Sequence, residues 1–472
     1  MGYKLTKTHW FTQEKRIKLC GFVTLFQYFC LTIFISVMNK LNTILYIILV
    51  FCLSVGFAAC DADPDDDIQK PASKGRRTVL IYMCAENSLG SSRYHLSDSA
   101  EIVKGRAYID PQDRLLMYID DNKNPRLYQI DAGHEAPVLK RSWSEDLCST
   151  SPDTMREILA WTAEYFPAAE YGLVMWSHAD GWIPAQKAVS ADGQNACVAP
   201  YSWGIDVGGG GNLSSDKGAD GKIGSQMDIE DMAWAIEQSG MHLKYIFFDA
   251  CLMQSLEVAY ALRHSTDYVV ASPIAITAYG ANYTHQLERG LFADSVEQIV
   301  KTYHADITDP QQVNVYSDSG IVFAVVRTDA LDQLAQATQM ALQLSDLSAD
   351  CIPDLEGLQH YHTYSSVFRY RPHYFDARIA MKYLLTPQAF AIYDEALSKA
   401  VVWQEATSRF WAGPSYYSYI DVDKDNYCGV AAFIPQEIYT KNATRCPQGD
   451  LNEAFLETAW SKAAGWHLLY EK

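Results

Sequence analysis

Residues Tyr245-Ile-Phe-Phe-Asp-Ala-Cys251-Leu-Met-Gln-Ser decide the reading of this chain. An apolar, aromatic run of strand length ends at Asp249-Ala-Cys251, and a helical pattern follows from Leu252 to Arg263. This predicts a buried strand with a helix opening beside the cysteine. The positive end of a helix favours thiolate over thiol, so Cys251 is placed as an activated nucleophile. A second run, Tyr171-Gly-Leu-Val-Met-Trp-Ser-His178, ends in a histidine. Adjacent parallel strands would bring His178 and Cys251 to one sheet edge, where open α/β sheets gather their catalytic groups. On spacing alone the bland alternatives stand beside this: a small buried hydrophobe for the cysteine, a satisfied polar group for the histidine.

The surrounding pattern predicts the architecture. From Arg77 onward, strands and helices alternate, which argues for a three-layer α/β domain with a mainly parallel sheet. The strands Thr78 to Met83, Leu115 to Ile119, Leu173 to Trp176, Tyr245 to Phe248, Tyr268 to Ala271 and Ile321 to Val326 are continuous apolar runs, as strands buried on both faces should be. Ser151-Pro-Asp-Thr opens one helix with an N-cap serine and proline at the first position, and Gly240 closes another that starts at Asp228. Further helices fit Leu96 to Lys104, Val296 to Tyr303 and Leu331 to Leu347. The Gly- and Asp-rich segment from Trp182 to Gln226 predicts an exposed, mobile loop between the histidine and the cysteine. From about Asp329 the chain reads as helices followed by a β element, Cys428 to Ile434, in a smaller subdomain packed on the first.

Composition narrows the class. The chain has 472 residues, 49% of them hydrophobic, enough for one large or two modest domains. A net charge of -19 without a basic tract argues against a nucleic-acid partner. Of 11 cysteines, Cys20, Cys30, Cys52 and Cys60 fall in the N-terminal apolar region, and the remainder have no zinc-like or disulfide-framework spacing. Met38-Asn-Lys-Leu-Asn, the apolar run Ile44 to Val55 and Gly56-Phe-Ala-Ala-Cys60 form a lipoprotein signal peptide over residues 38–59, with Cys60 as the lipidated residue. Residues 1–37 then read as an upstream extension before a start at Met38; an uncleaved membrane anchor is the alternative. Residues 60–76, with Asp61-Ala-Asp-Pro-Asp-Asp-Asp67, form an acidic flexible tether. An acidic run after a lipidated cysteine resembles the surface-export signal of Bacteroides-type lipoproteins. The expected location is therefore the cell envelope, held to the membrane by lipid, with the outer-membrane surface as the address this run suggests.

Several motifs occur in a telling order. They are Trp176-Ser-His178, Tyr201-Ser-Trp-Gly-Ile-Asp206, Met227-Asp-Ile-Glu-Asp-Met232, Phe248-Asp-Ala-Cys251-Leu-Met, Glu257-Val-Ala-Tyr260 and Val270-Ala-Ser-Pro273. Leu80-Ile-Tyr-Met83 and Glu86-Asn-Ser-Leu89 precede them; Gly429 to Pro435 and Trp460 to Trp466 follow. In this order the chain resembles the clostripain-like cysteine peptidases of the caspase-like clan, over roughly residues 77–470. The resemblance implies a caspase-like three-layer α/β sandwich with a mainly parallel sheet, a catalytic domain over residues 77–330 and a smaller C-terminal subdomain over 331–472. It implies endopeptidase cleavage after arginine or lysine, with protein or peptide substrates that carry basic residues. His178 matches the family's catalytic histidine, Cys251 its nucleophile, and Asp249 the acid that receives the basic side chain. The backbone N–H groups of Ala179 and Cys251 would bind the oxyanion. The alternatives weighed are a non-catalytic surface lipoprotein that keeps the fold for binding, a different residue preference on the same dyad, and Asp249 as a plain helix cap at Leu252.

Two departures from that pattern stand out. Relatives usually carry glycine where this chain has Ala179, and an alanine at positive φ would cost energy. Acidic residues and Pro-Gly often follow Ala-Ser-Pro, whereas Ile274-Ala-Ile-Thr-Ala-Tyr-Gly280 holds no charge. Members of the family are often activated by a cut between histidine and cysteine. Of Lys187, Lys217 and Lys222, the latter two lie in the Gly- and Asp-rich stretch that suits proteolysis. No cofactor is required by the sequence. Asp216-Lys-Gly-Ala-Asp-Gly-Lys-Ile and Asp421-Val-Asp-Lys-Asp-Asn resemble parts of calcium loops but have Met227 and Ala432 at the twelfth position, so they read as acidic solvated turns. Some family members use calcium, which leaves that ion open. Cys84, at the end of the first strand, reads as a buried spectator.

Overall fold

A computed structural model describes residues 74–184, 202–309, 319–364, 371–412, 418–439 and 451–470. The signal segment 38–59, Cys60, Lys187 and nearly all of the tether lie outside the described residues. Among the described residues, no helix is long and apolar enough to cross a membrane.

The strands in chain order are β1 (Gly75–Cys84), β2 (Arg114–Asp120), β3 (Arg126–Ile130), β4 (Val138–Ser142), β5 (Ala168–Trp176), β6 (Trp203–Asp206), β7 (Ser225–Met227), β8 (Tyr245–Asp249), β9 (Tyr268–Ala271), β10 (Val322–Arg327), β11 (His360–Tyr364), β12 (Arg371–Asp376) and β13 (Val401–Ala406). Nine of them form one sheet in the order β13-β10-β9-β8-β5-β1-β2-β3-β4. The pairs β9–β8, β8–β5, β5–β1 and β1–β2 are parallel, and the outer pairs are antiparallel. The apolar runs are continuous because both faces are covered. In β1, Val79, Ile81 and Met83 enter one core while Leu80, Tyr82 and Cys84 enter the other. Helices Pro152–Tyr165, Ile229–Gln238, Leu331–Leu344 and Pro387–Ala400 cover one face. Helices Tyr94–Gly105 and Glu297–Thr308 cover the other. This is the expected mixed α/β sandwich. The order reverses at β1, since β2 lies on one side of it and β5 on the other, so the crevice at their carboxyl ends is the natural ligand site.

Three expectations need revision. The Gly- and Asp-rich stretch is ordered where it is described: β6 and β7 pair, with Trp203 opposite Met227 and Asp206 opposite Ser225. Trp203 and Ile205 are fully buried, which composition could not reveal because the glycines serve as turns, with Gly208, Gly210 and Gly221 at positive φ. The β element expected over Cys428 to Ile434 is only Ala431–Ala432, which pairs with β12. The C-terminal part is woven into the first rather than only packed on it. β13 supplies the edge of the main sheet, and contacts group Ile68–Lys472 into one compact unit.

Arg77 is an unusual core residue at the foot of β1. It is 1% exposed, donates to Glu170 Oε2 at 2.6 Å, and reaches the carbonyls of Leu291 at 3.0 Å and Ala293 at 2.8 Å. It thus ties β1, β5 and the segment after the 283–290 helical turns together. Truncation leaves those carbonyls unpaired. Arg77→Ala is expected to lower stability by about 2–3 kcal/mol, read from the midpoint of urea unfolding at unchanged m.

Candidate functional site

The site follows from the register of two strands. In the parallel pair β5–β8, Trp176 lies opposite Asp249. His178 and Cys251 each follow by two residues, so the backbone carries them out of the sheet side by side at its carboxyl edge. The two turns touch: a Cβ on Gly181 would stand 2.9 Å from the Leu252 carbonyl oxygen. Tyr374 of β12 donates to the Asp180 carbonyl, and Ala431 N–H donates to the Gln254 carbonyl at 2.9 Å. The C-terminal part therefore braces both turns.

The turn after β8 differs from the expected helix. Leu252 adopts φ 62°, its N–H donates to the Ile274 carbonyl at 3.0 Å, and the Gln254 N–H donates to the Ser272 carbonyl at 3.0 Å. The helix begins only at Leu256, with Ser255 as the cap that accepts from Val258 N–H. Cys251 therefore gains no help from a helix N-terminus. Its half-buried thiol lies 3.7 Å from the Ile276 carbonyl, and burial pushes its pKa up to about 11. With no helix at Leu252, Asp249 does not cap one either.

His178 is half-buried, and its Nε2 lies 2.8 Å from Ser88 Oγ. Burial holds the imidazole below its usual pKa, and the Asp216 carboxylate partly opposes this. The β6 strand clamps the histidine loop: Gly204 N–H donates to the His178 carbonyl at 2.8 Å, and Ala179 bridges Trp203. Ala179 is not among the described residues at positive φ; Gly181, at φ 77°, makes the turn instead. Among the described residues no backbone hydrogen bond engages the N–H of Ala179 or Cys251.

Asp249 is buried and accepts from Ala281 N–H at 3.1 Å and from the Tyr283 hydroxyl at 2.9 Å. Burial raises its pKa to about 6. Gly280 is required beside it: its φ is 62°, and a Cβ would lie 2.6 Å from Asp249 Oδ2. A second acid, Asp98, is buried close by. It accepts from Trp176 Nε1 at 2.7 Å, and burial together with the charge of Asp249 raises its pKa to about 9. The uncharged 274–280 run meets the cysteine turn through its backbone: the Ile276 carbonyl faces the Cys251 thiol and the Ile274 carbonyl accepts from Leu252 N–H.

Sequence reasoning missed Asp98, gave Asn87 and Ser88 no role, and read Asp216 only as the start of an acidic turn. Asn87 caps the short Ser88–Ser91 turn and donates to the Cys84 and Ile205 carbonyls at 2.8 and 2.9 Å. The Glu86-Asn-Ser-Leu89 motif pointed at this loop without giving it a role; nothing local in the sequence singles out Asp98. Lys217 is partly buried in the hairpin and Lys222 exposed near Asp220. Asp216 accepts from Ser88 N–H at 2.6 Å, and Asp423 folds back on Asp425 N–H and the Asn426 amide. Among the described residues no group of three or more His, Cys, Asp or Glu is arranged to hold a metal. Cys84 is fully buried, donates to the Ile205 carbonyl at 3.2 Å, and has its pKa raised by burial.

The profile described as Clostripain family matches residues 81–198 and 216–429. A secreted C11 cysteine protease from Bacteroides thetaiotaomicron, solved with an irreversible peptide inhibitor, superposes with a TM-score of 0.65 at 26% identity, over 84% of this chain and 100% of that one. An inactive zymogen C11 protease from Parabacteroides distasonis gives 0.64 at 25% identity, over 84% and 99%. Among curated protein sequences, none matches significantly.

A thiol whose pKa is raised reacts through a small thiolate fraction that grows as pH rises. Iodoacetamide should modify Cys251 at a rate that climbs about tenfold per pH unit from pH 7 to 10 without a plateau, read by peptide mapping. A flat profile above pH 7 would mean a thiolate already formed.

Proposed function

Because the chain belongs to the clostripain family and is a cysteine peptidase, we propose that it cleaves peptide bonds after arginine or lysine through Cys251 and His178. The β5–β8 register supports this reading: Trp176 lies opposite Asp249, and His178 and Cys251 each follow two residues later at the carboxyl edge of the sheet. Cys251 Sγ attacks the carbonyl carbon while its proton passes to the imidazole. His178 then gives that proton to the leaving nitrogen as the C–N bond breaks. Water, deprotonated by the same imidazole, hydrolyses the thioester. The N–H groups of Ala179 and Cys251 are the donors for the oxyanion.

Asp249 and Asp98 support a basic residue before the cut. A guanidinium or ammonium entering beside them pairs with carboxylates whose ionised form is otherwise costly to bury. Both carboxyls have raised pKa values, so they hold protons below about 6 and about 9 and lose them as pH rises. A cation favours the ionised form, so binding releases protons. The same logic makes the pocket weaker in acid.

The segment 38–59 and Cys60 support export and a lipid anchor, and the relative from Bacteroides thetaiotaomicron is described as secreted. The relative from Parabacteroides distasonis is described as an inactive zymogen, which supports activation by a cut between the histidine and the cysteine; of the two expected positions Lys222 is exposed and suits it, whereas Lys217 is partly buried in the hairpin. In this reading a Cys251→Ala protein stays uncut where the wild type is processed; identical band patterns would rule out self-processing.

Fluorogenic Arg, Lys, Asn and Asp amides test the specificity. Arg or Lys amides should turn over and Asn or Asp amides should not, with all hydrolysis lost in Cys251→Ala and after iodoacetamide. Asp249→Asn should lower kcat/KM for Arg amides by roughly 10–100-fold, and Asp98→Asn by less. Turnover of Asn or Asp amides alone would overturn the basic preference.

A further inference from the structure

We propose that Ser88 and Asp216 form a positioning pair for the histidine: Ser88 Oγ holds Nε2 of His178, and Asp216 holds Ser88, so that Nδ1 exchanges the proton with the thiol and the leaving nitrogen. The proposal rests on the dyad reading above.

The geometry is built rather than incidental. Ser88 Oγ stands 2.8 Å from His178 Nε2, and the Ser88 N–H donates to Asp216 Oδ1 at 2.6 Å. Ser88 cannot drift, because the residue before it is locked on three sides. Asn87 Nδ2 donates to the Cys84 and Ile205 carbonyls and lies 3.2 Å from Ser177 Oγ, while Asn87 Oδ1 accepts from the Leu89 and Gly90 N–H groups. Those contacts fasten the serine to the end of β1, to the residue preceding the histidine, and to β6. A Cβ on Gly90 would stand 1.7 Å from the Ala85 carbonyl oxygen, so the loop closes on itself too tightly for any side chain there.

Asp216 is held just as firmly. It takes φ 55°, its N–H donates to the Leu213 carbonyl at 3.2 Å, and its carbonyl accepts from Gly224 N–H at 3.0 Å. A non-glycine residue at positive φ carries strain, which the turn sustains. The carboxylate is thereby aimed at the serine and kept close enough to act on the imidazole ring.

The arrangement meets a need of the reaction. When the thiol proton passes to Nδ1, the ring becomes an imidazolium in a half-buried position. Nε2–H can then donate to Ser88 Oγ, and the negative charge of Asp216 offsets part of the desolvation cost. After Nδ1 returns the proton to the leaving nitrogen, the ring is neutral again and the Nε2–H to Oγ bond is unchanged. No atom or electron is left over, and the ring keeps one orientation through both transfers. Fixing that orientation is worth rate rather than affinity.

The test compares Ser88→Ala, Ser88→Thr, Asp216→Asn and His178→Ala, each checked for an unchanged melting temperature, on an Arg or Lys amide. Ser88→Ala is expected to lower kcat by on the order of 10- to 100-fold with KM within about twofold, and Ser88→Thr to restore most of it. Asp216→Asn keeps an acceptor for the serine N–H but removes the charge, so its kcat should fall by less than that of Ser88→Ala. A Ser88→Ala enzyme with wild-type kcat, or a loss that threonine does not repair in a folded protein, overturns the positioning role. His178→Ala separates the two claims: if it retains wild-type turnover the dyad itself fails, whereas an inactive His178→Ala beside a fully active Ser88→Ala overturns the positioning pair alone.

Discussion

Everything at this site depends on how β5 lies against β8, and one pair at the foot of the two strands fixes that. Gly172 stands opposite Tyr245. A Cβ on Gly172 would lie 2.4 Å from Tyr245 Cζ, so the tyrosine ring occupies the space that a side chain would fill. The ring is held there by its hydroxyl, which donates to the Leu291 carbonyl at 2.8 Å. Sliding β8 by one residue would lift the ring off the glycine and turn every side chain of the strand to the other face. Four residues further on, the same register sets Trp176 opposite Asp249, and two residues beyond that it brings out His178 and Cys251. The packing of a tyrosine on a glycine is thus read out about six residues away as the placement of two reactive groups.

The electrostatics of the site all run toward neutrality. Burial raises the thiol of Cys251 to about 11 and the carboxyls of Asp249 and Asp98 to about 6 and about 9, and it lowers the imidazole of His178. A resting thiolate–imidazolium pair does not fit this environment. The environment favours a neutral thiol at Cys251 and a neutral imidazole at His178. In the proposed mechanism a cation beside Asp249 and Asp98 would ionise them, and the N–H groups of Ala179 and Cys251 together with Asp216 would meet the charges that develop on substrate oxygen and imidazole. On that reading charge separation is confined to the bound complex, where it is compensated.

Much of the fold was legible because the central strands are buried on both faces and read as unbroken apolar runs; all six expected strands are present, β10 among them although it pairs antiparallel with both neighbours. β4 and β13, the two edges of the sheet, and β3 beside β4 escaped notice because they mix polar and apolar residues, as Val138–Ser142 and Val401–Ala406 do. The helix expected from Leu252 was misplaced for a local reason. Leu-Met-Gln continues a helical pattern, but Leu252 adopts a left-handed conformation and only Ser255 has the geometry of a cap. His178 and Cys251 stand out in the sequence because each follows an apolar strand and falls in a family motif. Asp98 and the approach of Asp216 to Ser88 do not, since one residue lies mid-helix and the other in a turn, and each acquires meaning only from tertiary neighbours.

The alanine in place of the usual glycine after the histidine is explained by the same β6 clamp. A glycine would be needed at 179 if that residue had to take positive φ to turn the chain away from the sheet. Here the turn is deferred: Ala179 bridges Trp203 in an antiparallel pair, which demands extended backbone, and Gly181 at φ 77° changes direction two residues later. Gly181 is confined as well, because a Cβ there would stand 2.4 Å from the Tyr374 hydroxyl. The bonds of the clamp run through the His178 carbonyl and the Asp180 N–H, which leaves the N–H of Ala179 between them unspent. An alanine therefore costs no backbone strain and keeps its donor. The β6–β7 hairpin and the C-terminal Tyr374, both distant in sequence, are what let an alanine stand here with its N–H unspent, as the proposed oxyanion role requires.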